Sequence, residues 1–236
     1  APPRRRDLTG QHLVVTAGPT VEDIDPARYL SNRSSGKMGY ALATRASRRG
    51  ARVTLISGPV ALSAPAGVTL RRVRSARDLR QCLDQVLGAD LQGADALIMA
   101  AAVADYRPVK QHHHKIKRNL DSMTLEMVKN EDILAGIGQR RHAKRPLLVG
   151  FALETVAGAA LKQLARDKLA RKRVDMVVAN RAADAFDGDD NIAMIVTSQA
   201  AEPLPKMSKL ALADRILDHL IGLLGVERNT EGDAHD

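Results

Sequence analysis

Short apolar runs separated by stretches of helical periodicity constrain this chain more than any other feature. Leu13–Ala17, Ala51–Ser57, Val68–Val73, Asp95–Ala101, Leu147–Leu153 and Asp175–Asn180 read as buried strands. Ser35–Arg48, Ala76–Leu87 and Ala157–Arg173 lie between them and read as helices. Ile192–Thr197 reads as a further strand and Ser208–Leu224 as a last helix capped by Ser208. Strands that alternate with helices need crossover connections, hence a mainly parallel sheet with helices on both faces. The expectation is an α/β, Rossmann-like three-layer sandwich. In such sheets ligands bind beyond the carboxyl ends of the strands, where Ala100-Ala101-Ala102-Val103-Ala104 stands.

The residues Arg28-Tyr29-Leu30-Ser31-Asn32-Arg33-Ser34-Ser35-Gly36-Lys37-Met38-Gly39-Tyr40 precede a helix face of Met38, Ala41, Leu42 and Ala46. Small, polar and basic residues at a helix start are what an anion site requires. Ser34 or Ser35 can cap the helix, Gly36 lets a ligand approach the backbone, and free N–H groups face negative charge. By itself the stretch fits an ordinary capped connection equally well. Two better-known phosphate motifs are excluded. A P-loop needs Gly, four residues, then Gly-Lys-Ser/Thr, and here Ser31 and Met38 occupy the first-Gly and hydroxyl positions. A dinucleotide fingerprint needs G-x-G-x-x-G after the first strand and an acid about 20 residues on. Here Gly18-Pro19-Thr20 opens a long loop, and the second strand ends in Ser57-Gly58-Pro59 without an acid.

Composition narrows the classes. The 236 residues allow one large domain or two small ones. Aromatics are 2% and Trp is absent, so the core must be Ala, Val, Leu, Ile and Met. A net charge of +9 points to a polyanionic partner. Without stacking aromatics or a known module, a nucleic-acid partner is disfavoured. No apolar run approaches the roughly 18 residues of a membrane helix. The single cysteine, Cys82, fits a reducing compartment and lies beside Leu79, Leu83 and Val86 as a core thiol. The N-terminus Ala-Pro-Pro-Arg-Arg-Arg-Asp lacks an initiator Met and a following apolar run, so it reads as a linker of a processed fragment, not a signal peptide.

Residues 105–130 interrupt the alternation and read as an inserted flap or interface arm, ending in the alternating Thr124–Lys129. Adjacent His112, His113 and His114 point to opposite faces of an extended chain, so they read as solvated residues and not as a metal site. Asn130-Glu131-Asp132-Ile133-Leu134 reads as a helix start with Asn130 as cap. Lys168 and Lys172, four residues apart, repel unless an anion lies against them; equally, basic residues at a helix end suit its dipole. Asp187-Gly188-Asp189-Asp190-Asn191 is a turn that lacks the downstream Glu of a calcium loop.

Several segments, in this order, carry a resemblance. They are Thr16-Ala17-Gly18-Pro19-Thr20, Asp25 through Gly39, Ser57-Gly58-Pro59-Val60, Ala101 through Arg107, Lys115-Ile116-Lys117-Arg118, Val128-Lys129-Asn130 and Val149 through Thr155. Together the sequence resembles phosphopantothenoylcysteine synthetase, the phosphopantothenate–cysteine ligase of coenzyme A synthesis, over residues 11–222. The resemblance implies a CTP-dependent ligase of bacterial type. It would join 4′-phosphopantothenate and L-cysteine through an acyl-cytidylate, with Mg²⁺ as the metal. It implies a cytoplasmic homodimer whose flap contributes across the interface. It further implies association with, or excision from, a flavin-dependent decarboxylase. On this reading 1–10 is a basic linker, 11–225 the ligase domain and 226–236 a polar tail.

The resemblance also implies roles. Asn32 would stand at the acyl-phosphate centre, with Arg28 near it and Ala101 and Ala102 as backbone around nucleotide and substrate. Asp105 would bind the nucleotide, and Lys115 would close over it from the flap. Glu131, Asp132, Ile133 and Leu134 match a nucleotide-binding helix start, although the family often has Pro at the position of Glu131, so only that backbone carries over. Phe151, Lys168 and Lys172 match the remaining nucleotide contacts. The metal ligands are not implied. Positioning and cations suffice for such nucleotidyl transfer, which needs no triad or acid–base pair. The competing readings are an NAD(P)-dependent reductase, against which the missing fingerprint counts, and a basic nucleic-acid-binding module.

Overall fold

The computed structural model describes residues 6–117, 122–181 and 190–225. The chain opens with β1 (His12–Ala17), a hairpin of β2 (Val21–Asp25) and β3 (Arg28–Ser31), helix α1 (Lys37–Arg48) and β4 (Arg52–Ser57). Next come β5 (Val68–Arg72), α2 (Ala76–Leu87) and β6 (Ala96–Met99). A second hairpin pairs β7 (Tyr106–Pro108) with β8 (Met127–Lys129). Then follow α3 (Ile133–Arg140), β9 (Leu147–Glu154), α4 (Gly158–Lys172) and β10 (Met176–Arg181). The short strands β11 (Asp190–Asn191), β12 (Ala193–Thr197), β13 (Ala201–Pro203) and β14 (Met207–Ser208) precede helix α5 (Lys209–Leu224).

One eight-stranded sheet organises the fold, in the order β13-β12-β10-β9-β6-β1-β4-β5. From β10 to β5 every neighbouring pair is parallel; β12 and β13 join antiparallel at one edge. The period of two along each strand divides the core. Leu13, Val15 and Ala17 of β1 and Ala96 and Ile98 of β6 pack under α1 and α5. Val14, Leu97 and Met99 face the opposite way, against α2, α3 and α4. Both faces are thus apolar, as a covered parallel sheet demands.

Local chemistry explains the helices. Ser75 accepts from the Asp78 N–H at 3.1 Å while Asp78 reaches back to the Ser75 N–H at 2.9 Å, so α2 spans its expected residues. Ser208 caps α5 as expected. Two expected caps are corrected. Helix α1 starts from Gly36 in a left-handed conformation (φ 75°) with no side-chain cap; Ser34 accepts only from the Gly36 N–H, and Ser35 caps nothing. Helix α3 is capped by Asp132, not Asn130, because the Asn130 Oδ1 that a cap would need accepts from Arg107 (2.9 Å) while its Nδ2 donates to the Ala104 carbonyl.

The β2–β3 hairpin replaces the long loop expected after Gly18. Its buried positions include Glu22 and Asp25, carboxylates that make the stretch read as solvated. The expected linker also ends earlier than residue 10. Leu8 is fully buried and donates to the Arg49 carbonyl at 3.0 Å, and Asp7 pairs with the buried Arg49 guanidinium at 2.7 Å. The remaining linker residues 1–5, Arg118 of the flap, Asp187–Asp189 of the acidic turn and the tail 226–236 lie outside the described residues. Cys82 packs partly buried beside Leu79 and Leu83, and burial pushes its thiol up from the ordinary range. Among the described residues no helix is long and apolar enough to cross a membrane.

Helix α1 lies so close to β1 that only glycine fits at the crossing. A Cβ at Gly39 would stand 2.5 Å from the Ala17 Cβ and 2.8 Å from the Thr16 carbonyl oxygen. Gly39→Ala should therefore destabilise the chain by about 1–3 kcal/mol through overpacking. A urea titration with an unchanged midpoint would contradict this.

Candidate nucleotide and substrate site

Strand order reverses at β1: the chain proceeds from β1 to β4 and β5 on one side and to β6 and β9 on the other. A crevice beyond the carboxyl ends follows at that point. Its floor is backbone. The Ala102 N–H donates to the Gly18 carbonyl at 2.9 Å, and the Thr20 N–H to the Ala102 carbonyl at 3.2 Å. Thr16 Oγ1 holds the Ala101 N–H (3.1 Å) and Thr20 Oγ1 the Ala104 N–H (2.9 Å). Asn32 reaches over this floor, its amide donating to the Val103 carbonyl at 3.0 Å. The structure thus brings Asn32, Ala101 and Ala102 together.

Arg28 stands at the turn of the hairpin, separated from Asn32 by the length of β3. It pairs with Asp25 at 2.8 Å and donates to the Ile116 carbonyl at 2.6 Å. Lys115, the neighbour of Ile116, is exposed on the flap. Asp105 is exposed at the flap's base, where its carbonyl accepts from the Asn130 N–H at 2.7 Å. Asn130 also donates to Glu22 (3.4 Å) and accepts from Arg107 (2.9 Å), which ties the flap's base to β2. Glu22 accepts in addition from the Ala76 N–H at 2.9 Å, and its burial pushes its carboxyl up from the ordinary range.

A second group forms where β9, α3 and α4 meet. Lys168 donates to the Phe151 carbonyl at 2.6 Å, and Lys172 pairs with Asp132 at 3.0 Å. Burial, and then the charge of Lys172, hold the Lys168 ammonium below the usual lysine range. Burial would raise Asp132, but Lys172 and the Ala135 N–H outweigh it and hold that carboxyl low. Ile133 and Leu134 are buried core residues that contribute backbone here. The Glu131 side chain points elsewhere, to Arg80, which also pairs with Asp84 at 2.7 Å.

Sequence reasoning missed Asn180. It is buried at the carboxyl end of β10, beside Leu153 of β9, and its Oδ1 is a buried acceptor without a partner among the described residues. Such an atom costs free energy until a donor meets it, and a polar residue closing an apolar strand was the available signal. No group of three His, Cys, Asp or Glu able to hold an ion occurs among the described residues. A groove of about 750 Å³ lies elsewhere, between α1 and the start of α5, lined by Tyr40, Thr44, Arg48 and Leu62 among others. None of the site residues named from the sequence lines it.

Residues 8–223 match the family described as the DNA/pantothenate metabolism flavoprotein C-terminal domain. The coenzyme A biosynthesis bifunctional protein CoaBC of Bacillus subtilis is 44% identical over 221 residues, covering 92% of this chain and 52% of that protein. The chain therefore spans about half the length of this relative. The crystal structure of the C-terminal domain of a CoaBC protein superposes with a TM-score of 0.78 at 37% identity, covering 93% of this chain and 98% of that one. A Cab2 mutant in complex with phosphopantothenate-cysteine shares the fold, with a TM-score of 0.73 at 15% identity over 93% of this chain and 88% of that one.

The second cluster sets a pH dependence. An anion beside Lys168 needs its protonated form, and the lowered folded value means that the proton leaves earlier as pH rises. Stabilisation by inorganic triphosphate, read as a melting shift, should therefore fade on the acid side of the ordinary lysine range. Unfolded Lys168 holds its proton more tightly than folded Lys168, so the charge costs the folded state stability below that range. Lys168→Met should leave the triphosphate-free midpoint in urea unchanged or higher and abolish the triphosphate shift. A lower midpoint together with an intact shift would refute this assignment.

Proposed function

The chain belongs to the DNA/pantothenate metabolism flavoprotein C-terminal domain family, and on that premise we propose that it is a phosphopantothenate–cysteine ligase. The carboxylate of 4′-phosphopantothenate attacks the α-phosphate of CTP, releasing pyrophosphate and leaving an acyl-cytidylate. The amine of L-cysteine then displaces CMP and forms the amide. The ligand of the Cab2 complex is the product of this reaction.

One observation carries the reading. Groups far apart in sequence converge at the carboxyl ends of neighbouring strands: Lys168, Lys172 and Asp132 beside Phe151 of β9, and Asn32 over the backbone that leaves β6 and β1. Cations at one end of this crevice suit a triphosphate. A neutral amide at the other suits an acyl phosphate, because it donates without a charge that would hold the product. Asn180 and the backbone of residues 131–134 add polar groups that suit a nucleotide, and Asp105 adds a carboxylate at the flap's base. Lys115 supplies a cation from the flap, and closure of the flap would keep water from the intermediate. Mg²⁺ would neutralise charge on the phosphate oxygens. Among the described residues no cage of His, Cys, Asp or Glu stands, which suits an ion carried in by the triphosphate and water.

The partner reading follows from the same surface. Tyr29, Tyr106 and Met123 are each more than half exposed, and all lie on the two hairpins and the flap between them. Apolar exposure gathered there supports a homodimer joined through this arm. The bifunctional relative is about twice this chain's length, which supports a companion domain; we read that domain as a flavin-dependent decarboxylase and the setting as cytoplasmic.

Pyrophosphate release should require phosphopantothenate, Mg²⁺ and CTP, with cysteine needed only for the amide product. Equal turnover with ATP at the same subsaturating concentration would overturn the CTP assignment.

Asn32→Asp places a carboxylate beside an anionic intermediate with little change in size, so the damage should be electrostatic. CTP binding should survive while product formation falls steeply. A capping role is no rival explanation, since α1 starts from Gly36 without a side-chain cap. Near-native product formation in both Asn32→Asp and Asn32→Ala, followed by mass spectrometry, would remove Asn32 from the mechanism.

A further inference from the structure

Asp25 ends β2 with its side chain fully buried, and no step of the proposed reaction uses it. Its carboxylate accepts four hydrogen bonds. Oδ1 takes the N–H groups of Ala27 (2.8 Å) and Arg28 (2.9 Å), which shape the hairpin turn. Oδ2 takes Arg28 Nε (3.0 Å) and, from the flap, the Ile116 N–H (3.1 Å). Arg28 Nη2 completes the arrangement by donating to the Ile116 carbonyl at 2.6 Å. One ion pair therefore grips both polar backbone groups of a single flap residue, and that residue directly follows Lys115. A second tie, from the His112 N–H to the Ile24 carbonyl (2.8 Å), holds the same flap segment against β2.

We propose that Asp25 is the positioning residue of the flap: through Ile116 it sets where the Lys115 ammonium stands over the crevice. The inference rests on the reading that Lys115 stabilises charge on the transferring phosphoryl group. Only an ionised carboxylate can accept from several converging donors without presenting a donor of its own. Burial would push Asp25 up, but the N–H groups of Ala27, Ile116 and Arg28 and the Arg28 side chain outweigh it and hold the carboxyl at about 2. The grip therefore persists through the whole neutral range. It weakens only as pH falls through that low value, where the depressed group gains its proton.

An asparagine at this position has one acceptor oxygen and one donating amide. If the oxygen stays with the turn, the amide faces the Ile116 N–H and the guanidinium, donor against donor. The hairpin turn then survives while the hold on the flap is lost. The same link breaks from the other side in Ile116→Pro, which deletes the flap N–H and leaves the carboxylate with its turn. A lysine displaced by about 1 Å from its working position costs roughly 10²-fold in rate.

The test is a double-mutant cycle on the full chain. Asp25→Asn and Ile116→Pro are each measured alone and with Lys115→Gln, by pre-steady-state pyrophosphate release and by CTP calorimetry. Lys115→Gln alone should slow release by about 10²-fold, as loss of one preorganised donor does. Each clamp variant should slow release by roughly 10²-fold in the native background, with CTP affinity held, and add little once Lys115 is gone. Hydrogen exchange gives a readout that needs no turnover: the Ile116 amide should be protected in the native chain and exposed in Asp25→Asn. If Asp25→Asn fails to fold, Ile116→Pro carries the cycle. A full-sized loss in the Lys115→Gln background, native rates in both clamp variants, or an unprotected native Ile116 amide would each overturn the proposal. Absence of pyrophosphate from the native chain would sink the ligase reading instead, and exchange would still decide whether Asp25 holds the flap.

Discussion

The site hangs on a pair of backbone hydrogen bonds at the reversal of strand order, exchanged between Ala102 and the Gly18–Thr20 segment. Each contributes only about 0.5–1.5 kcal/mol net, but an unmade buried pair costs more than a made one gains. Register between β1 and β6 delivers the two segments side by side. From that junction the β2–β3 hairpin leaves on one side and the flap on the other. Asn32 and Val103, far apart in the chain, meet only because the junction is closed.

Outside the sheet, charge takes over from apolar packing. The chain has few aromatics, and the hairpins bury carboxylates where other proteins would place large apolar side chains. Glu22 accepts from the α2 N-terminus and Asn130. Asp25 accepts from its turn and the flap. Such groups are costly unless fully partnered, so they specify one arrangement sharply. The flap is held by a few directional bonds and little buried apolar area, which is how segments of low local stability are built.

The cationic end of the crevice shows the opposite economy. Burial strains the Lys168 ammonium most, and repulsion from Lys172 adds to it. Asp132 relieves part of it while also capping α3. One carboxylate thus ties the start of α3 to the end of α4. On the proposed reading, a triphosphate would meet cations already set in place by folding, which is what preorganisation means here.

Much of this could be read from neighbouring residues, and some of it could not. The strands and helices of both layers follow from apolar period and caps, signals that extend over a few residues; α2 is the clearest case, bounded by its reciprocal Ser75 and Asp78 bonds. The spacing of Lys168 and Lys172 marked a common face because a helix turn is local geometry. The role of Asp25 had no such signal, and for Asn180 the sequence offered only a polar residue closing an apolar strand. An acid in an acidic stretch reads as solvated, and its meaning here comes from an N–H 91 residues away. Which of the adjacent acids Glu131 and Asp132 meets Lys172 depends on how α3 is rotated against α4 and α2, and that is set by packing. Periodicity and capping act along the chain, so they survive in a string of letters. Pairing of buried polar groups acts across the chain, and only the closed sheet brings those partners within bonding distance.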